Sequence, residues 1–246
     1  MLKSRVHPSS ILAIAILLEI APAIAAGPAV TGRASVPNPS GAQKAVDNSN
    51  VVVWLAPIAG KADHLPAPRP ERQRFRLLQK HKRFEPHLLV LPLGSAVEFP
   101  NLDPFFHNVF SLFEGKRFDL GLYEAGSTRA MRFDRPGICY IFCNIHPEMS
   151  AIVFVMATPY YGVSNRAGDI TIPDVPPGRY QLQVWHERSL PEALKTLSRE
   201  ITISEDSSSL GIIRLSESGM LMVTHKNKYG RDYDTPTPAS PLYEQP

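Results

Sequence analysis

The stretch Pro136-Gly137-Ile138-Cys139-Tyr140-Ile141-Phe142-Cys143-Asn144-Ile145-His146-Pro147-Glu148-Met149 carries a thiol, an imidazole and a thioether within its last seven residues. These are soft donors of the kind copper prefers. Two imidazoles and a thiolate with a weak axial thioether make the geometry of copper electron-transfer sites. The second imidazole must come from elsewhere, and His107 is available in Phe105-Phe106-His107-Asn108-Val109. Taken singly, His107 beside phenylalanines reads as a core histidine and Met149 ahead of a strand reads as packing. Together with Cys143 and His146 at this spacing, the four read as the ligands of one copper ion. Glu148 reads as solvent-facing, the next candidate for an axial oxygen. A zinc site from the same four fits less well, because structural zinc sites seldom recruit a thioether.

A site that cycles between Cu(I) and Cu(II) with little ligand movement needs rigid supports, and two strand ends with a proline-stiffened loop supply them. The 24 prolines and the many short Val/Ile/Phe/Tyr runs favour β-structure joined by turns. Strands are expected at Val51–Leu55, Arg72–Leu77, His87–Val90, Ser95–Phe99, Val109–Phe113, Arg129–Phe133, Ile138–Cys143 and Ala151–Met156. This regular spacing describes a sandwich or barrel. From Thr158 the character changes. Ile170 and Ile172 alternate ahead of the turn signal Asp174-Val175-Pro176-Pro177-Gly178. Tyr180, Leu182 and Val184 share one strand face. Ile201/Ile203 and Leu210–Leu215 complete a second β unit, with a helical turn or more at Pro191–Leu197. The expected fold is all-β, one sandwich over residues 27–157 and a smaller one over 158–215. Residues 216–246 are polar and then proline-rich, and read as a disordered tail.

The N-terminus reads as a cleaved secretory signal over residues 1–26. Lys3 and Arg5 precede the apolar run Ile11–Leu18, and Ala23-Ile24-Ala25 offers small residues for cleavage. The run is too short to span a bilayer, so a periplasmic or secreted chain with no membrane span in its mature form is expected. The formal net charge of +3 falls to about +2 without the signal, which argues for neither a nucleic-acid binder nor a membrane-surface protein. Two cysteines, Cys139 and Cys143, make no disulfide scaffold.

The ligand stretch resembles that of the cupredoxins, the plastocyanin and amicyanin family. Cys-x-x-His-x-x-Met with proline after the histidine is most similar to amicyanin, and His107-Asn108-Val109 resembles the upstream ligand segment of plastocyanin-like proteins. The resemblance covers residues 85–156 well and 28–84 loosely. It implies a Greek-key sandwich and one type 1 (blue) copper ion held by His107, Cys143, His146 and Met149. It further implies that Asn108 ties the two ligand loops together, with Pro147 supporting His146, and that His146 is the electron-exit ligand. Within the family the chain is similar to methylamine-utilisation-type periplasmic proteins, although methylamine itself does not follow. Residues 158–215 resemble carboxypeptidase-regulatory-like sandwich domains, largely through turn residues.

Cys139 permits three readings. A disulfide with Cys143 is poor, since four strand steps separate the Cα atoms by about 13 Å. The dinuclear copper site of terminal oxidases has one more residue between its second cysteine and its histidine. The cupredoxin ligand cysteine also falls six residues after the Pro-Gly glycine, which selects Cys143. The third reading, preferred here, makes Cys139 a small buried residue sharing a strand face with Ile141 and Cys143. His64, His81 and His87 sit in or beside the basic run Lys61–Arg83, which holds eight Lys or Arg and two acids. That run is a solvated face or a docking patch for an acidic redox partner. His186 is expected to pack at a strand end. Phe105, Phe106, Phe110 and Phe113 are chiefly core, with one or two at an apolar rim around the site.

Three functions fit. The first is an electron carrier that is not an enzyme and exchanges electrons with redox partner proteins whose identity the sequence does not give. The second is a copper-delivery protein. The third is a β-sandwich binding module with a structural metal. The ligand spacing favours the first, because delivery proteins more often use exposed Met- and His-rich tracts. No carboxylate pair or Ser/His/Asp set supports a hydrolase.

Overall fold

A computed structural model of the chain describes residues 27–37, 46–58, 74–112, 116–216 and 226–233. The signal segment 1–26, His64, Phe113 and most of the basic run lie outside the described residues.

The described residues are all-β with one short helix. The strands are β1 (Val30–Ser35), β2 (Val52–Pro57), β3 (Phe75–Arg76), β4 (Leu78–Lys80), β5 (Arg83–Glu85) and β6 (Leu88–Pro92). They continue with β7 (Ala96–Pro100), β8 (His107–Ser111), β9 (Phe118–Tyr123), β10 (Thr128–Arg132), β11 (Gly137–Phe142) and β12 (Ser150–Met156). The last are β13 (Tyr161–Val163), β14 (Asp169–Ile172), β15 (Gly178–Trp185), β16 (Arg199–Ile203) and β17 (Ser209–Arg214), with helix α1 (Pro191–Leu197) after β15. Proline opens α1, where its missing N–H costs nothing, and the following Ser198 leaves the helical conformation.

One sandwich packs the sheet β10-β7-β3 against the sheet β6-β12-β11-β8-β9. Val97 and Phe99 from the first sheet meet Val109, Ile141, Cys143, Val153 and Val155 from the second in a common core. The hairpin β4-β5 closes one side through Leu77 and Phe84. A second sandwich packs β14-β1-β17 against β13-β2-β15-β16, around Val30, Ile170, Ile172, Leu55, Leu182 and Val184.

These pairings correct the placement of the N-terminal strands. Residues 27–57 are expected in the first sandwich, yet β1 pairs with β14 and β17, and β2 with β13 and β15. The first sandwich is therefore inserted between two halves of the second. Composition marks Val52-Val53-Trp54-Leu55 as a strand, but its partners lie more than 100 residues on, beyond any local signal. Alternation shows where it sits: Val53 and Leu55 enter the second core, while Val52 and Trp54 face the other way.

What they face is β12. Six of its seven residues are buried, because it is covered on both sides. Ala151, Val153 and Val155 point into the first core, and Phe154 and Met156 meet Val52, Trp54, Tyr161 and Trp185. The Phe154 ring lies edge-on to Trp54 at 5.4 Å and to Trp185 at 5.5 Å. The strand that leaves the candidate ligand loop is thus anchored between two cores. No helix among the described residues is long and apolar enough to cross a membrane.

Candidate metal centre

Two strands deliver the donors. His107 opens β8, and Cys143 immediately follows β11, which pairs with β8 at Phe142 and Phe110. The seven-residue turn back into β12 is tied across itself. The Cys143 N–H donates to the Met149 carbonyl (3.2 Å) and the Met149 N–H to the His146 carbonyl (3.0 Å). Those bonds fold the loop backbone back on itself between Cys143 and Met149.

The side chains converge. Cys143 Sγ is 3.8 Å from His107 Nδ1 and 3.6 Å from His146 Nδ1, and the two Nδ1 atoms are 3.1 Å apart. Bonds of about 2.0 Å to nitrogen and about 2.3 Å to sulfur, as first-row divalent ions make, produce separations of this size around one ion. His107 and Cys143 are fully buried and His146 is 6 % exposed. Met149 is also fully buried, in the same core cluster as Cys143. Three of the four expected residues, His107, Cys143 and His146, form a convergent donor set at one end of the first sandwich, and Met149 lies nearby in the same loop.

A fifth residue completes the arrangement. Asp103, 5 % exposed, accepts a hydrogen bond from His107 Nε2 at 2.8 Å. An ionised carboxylate only accepts, so the proton resides on Nε2 and the Nδ1 lone pair is turned toward Cys143 and His146. Asp103 is itself held by the N–H groups of His81 (2.6 Å) and Lys82 (2.9 Å) in the β4-β5 turn. Burial pushes its carboxyl up, but the bonds from Lys82, His107 and His81 outweigh this and hold it below the ordinary value. Sequence reading missed Asp103, since Asp-Pro in Asn101-Leu102-Asp103-Pro104 is a turn signal. Its place four residues before a candidate histidine is the one available hint.

Burial governs the other protons. It lowers His107, against the pull of Asp103, and takes His146 down to about 4 with the help of His107. It raises the Cys143 thiol, although N–H groups of Asn108, Ile145 and His146 favour the thiolate. The neutral imidazoles are ready to ligate, and the sulfur must lose a proton to do so.

Asn108 departs from the expected role. Its side-chain N–H donates to Asp119 Oδ1 at 2.7 Å, and its amide oxygen is buried with no partner among the described residues. The direct bond between the ligand segments is its backbone N–H to the Cys143 sulfur. Pro147 and Glu148 lie exposed in the turn. Phe105 is the phenylalanine at the site, its ring 5.2 Å from His107 and 5.6 Å from His146, with the Lys82 ammonium over it at 5.5 Å. Phe106 is half exposed and Phe110 fully buried.

Cys139 is buried and free, and its sulfur is not among the converging donors. The thiol donates to the Lys116 carbonyl at 3.3 Å and lies 3.5 Å from Ser111 Oγ. His87 bonds Glu187 at 2.8 Å, and the buried His186 lies 3.4 Å from Ser189 Oγ.

No protein-family model matches the chain, and no curated protein does. Parts of it are similar to solved structures. A purple cupredoxin from Nitrosopumilus maritimus matches at 22% identity over 33% of this chain and 99% of its own, with a TM-score of 0.31. An amicyanin mutant in the reduced state matches at 19% identity, covering 37% of this chain and 89% of its own, with a TM-score of 0.32. A copper-containing nitrite reductase from Thermus scotoductus SA-01 matches at 26% identity over 41% of this chain, with a TM-score of 0.33. That match takes in 25% of the reductase.

Proposed function

We propose that the protein is an exported one-electron carrier in which His107, Cys143 and His146 would hold a single copper ion, with Met149 as the fourth candidate ligand. The observation that carries this reading is the convergence of two imidazole nitrogens and one sulfur within 3.8 Å of one another in a buried site. Bound copper supplies the one-electron couple. Asp103 fixes the tautomer and tilt of His107, and Phe105 shields both imidazoles from water. The double anchoring of β12 keeps the loop from rearranging between oxidation states. His146 lies nearest the surface and is the exit toward a redox partner. The expected signal segment supports export to the periplasm or outside the cell.

Burial favours a carrier over a delivery protein, because exchange requires donors that an acceptor can reach. Copper(II) added to the metal-free protein will give intense visible thiolate-to-copper absorption that Cys143→Ser abolishes. A reversible redox couple and retention against a weak chelator are expected of the carrier. A colourless protein, or colour that survives Cys143→Ser, contradicts the assignment.

A further inference from the structure

Beyond the second sandwich the chain returns to the metal end. Residues 226–233 form a self-bonded turn: Asn227 Oδ1 accepts the N–H groups of Tyr229 (3.0 Å) and Arg231 (3.1 Å), and the Asn227 N–H donates to the Arg231 carbonyl (2.8 Å). This corrects the reading of 216–246 as structureless throughout. Polar composition gave no hint of it, because the segment is held by hydrogen bonds and not by apolar burial.

Three bonds from this turn reach toward the ligand segments. The Lys228 N–H donates to Asn144 Oδ1 at 2.9 Å, and the Tyr233 hydroxyl donates to the Cys143 carbonyl at 2.8 Å. The Lys228 ammonium pairs with Asp119 Oδ2 at 2.8 Å, and Asp119 Oδ1 accepts from the Asn108 side chain next to His107. Residues 226–233 therefore grip the backbone of the sulfur donor, its neighbour, and β9, the strand paired with the one that carries the distant histidine. A second link between the ligand segments runs from the Asn108 side chain through Asp119 and Lys228 to Asn144.

We propose that residues 226–233 are a clamp on the metal centre, with Tyr233 a positioning residue that fixes the Cys143 backbone through its carbonyl. With that carbonyl held, the Cα–Cβ bond of Cys143 keeps one direction and the sulfur keeps its place against both imidazoles. The effect on bound copper rests on the copper reading above; the effect on the loop does not.

The first test uses metal-free protein: the wild type, Tyr233→Phe, and a chain ended after Ser216. Hydrogen exchange at the Cys143 and Met149 amides reports loop opening. Loss of one hydrogen bond will speed exchange in Tyr233→Phe roughly two- to tenfold, and truncation will speed it further. Exchange in β2 and β15 will not change. Unaltered exchange at Cys143 and Met149 in both variants overturns the clamp. In copper-loaded protein, Tyr233→Phe will shift the thiolate-to-copper band and the reduction potential relative to the wild type. The control Arg231→Ala, whose side chain makes none of these bonds, will match the wild type. An identical band and potential in Tyr233→Phe overturn its positioning role. If no form colours with copper, the copper reading falls and the exchange result alone decides for or against the clamp.

Discussion

At the scale of single residues, the site depends on side chains that never touch the metal. Asp103 leaves His107 one way to point, and its own position comes from two backbone N–H groups in a tight turn. His81 and Lys82 both have positive φ, 53° and 54°. Lysine does not favour that region, so the conformation at Lys82 depends on the Asp103 bonds that hold the turn. Asp103→Asn keeps the shape and loses the charge, and is expected to weaken copper binding about 10- to 100-fold in a chelator competition. Met149→Leu tests the other side of the centre. The swap nearly conserves volume and will cost less than about 1.5 kcal/mol of stability. It will keep the thiolate-to-copper colour but move the reduction potential, since an axial donor tunes potential without carrying the charge-transfer band. Three of the candidate ligands were legible because Cys-x-x-His-x-x-Met is local and chemically specific, and His107 was legible from the His-Asn segment upstream. Asp103 was not, because its partners come from a hairpin whose His-Lys turn carries no usual turn residue.

At the scale of elements, β12 joins the ligand loop to both cores. Its uninterrupted apolar run was readable as a strand, but not the fact that its two faces serve different sandwiches. The same holds for β2, whose type was evident and whose partners were not. Pairing across 100 residues leaves no periodicity to read. Phe154→Ala removes the ring wedged between Trp54 and Trp185 and will cost about 3–5 kcal/mol in thermal or denaturant unfolding. Because Phe154 faces away from the first core, the copper spectrum of the variant will stay close to the wild type where the protein remains folded.

Across the whole molecule, the two sandwiches meet at an apolar seam and at a charged contact between His87 and Glu187. The bond to Glu187 raises His87 above its ordinary 6.5, and the bond to His87 lowers Glu187. A raised histidine contributes stability in full below 6.5 and loses it as pH rises through the folded value. The lowered carboxylate contributes above about 4.5 and loses it in acid. The pair is therefore strongest between those limits. The stability difference between wild type and Glu187→Gln will shrink on going from pH 6 to pH 8. His186 and His146 act in the opposite sense. Burial takes both to about 4, so the metal-free protein will lose stability as pH falls from 6.5 toward 4. Replacing His186 by Phe will flatten that acid limb in a pH series of unfolding midpoints.

Electron paramagnetic resonance of the protein loaded with one equivalent of copper(II) tests the central assignment most directly. A single type of copper with the narrow hyperfine splitting of a copper–thiolate bond is expected, lost in Cys143→Ser. A multi-line signal from a mixed-valence pair, or the wide splitting of copper bound by nitrogen and oxygen alone, would contradict it.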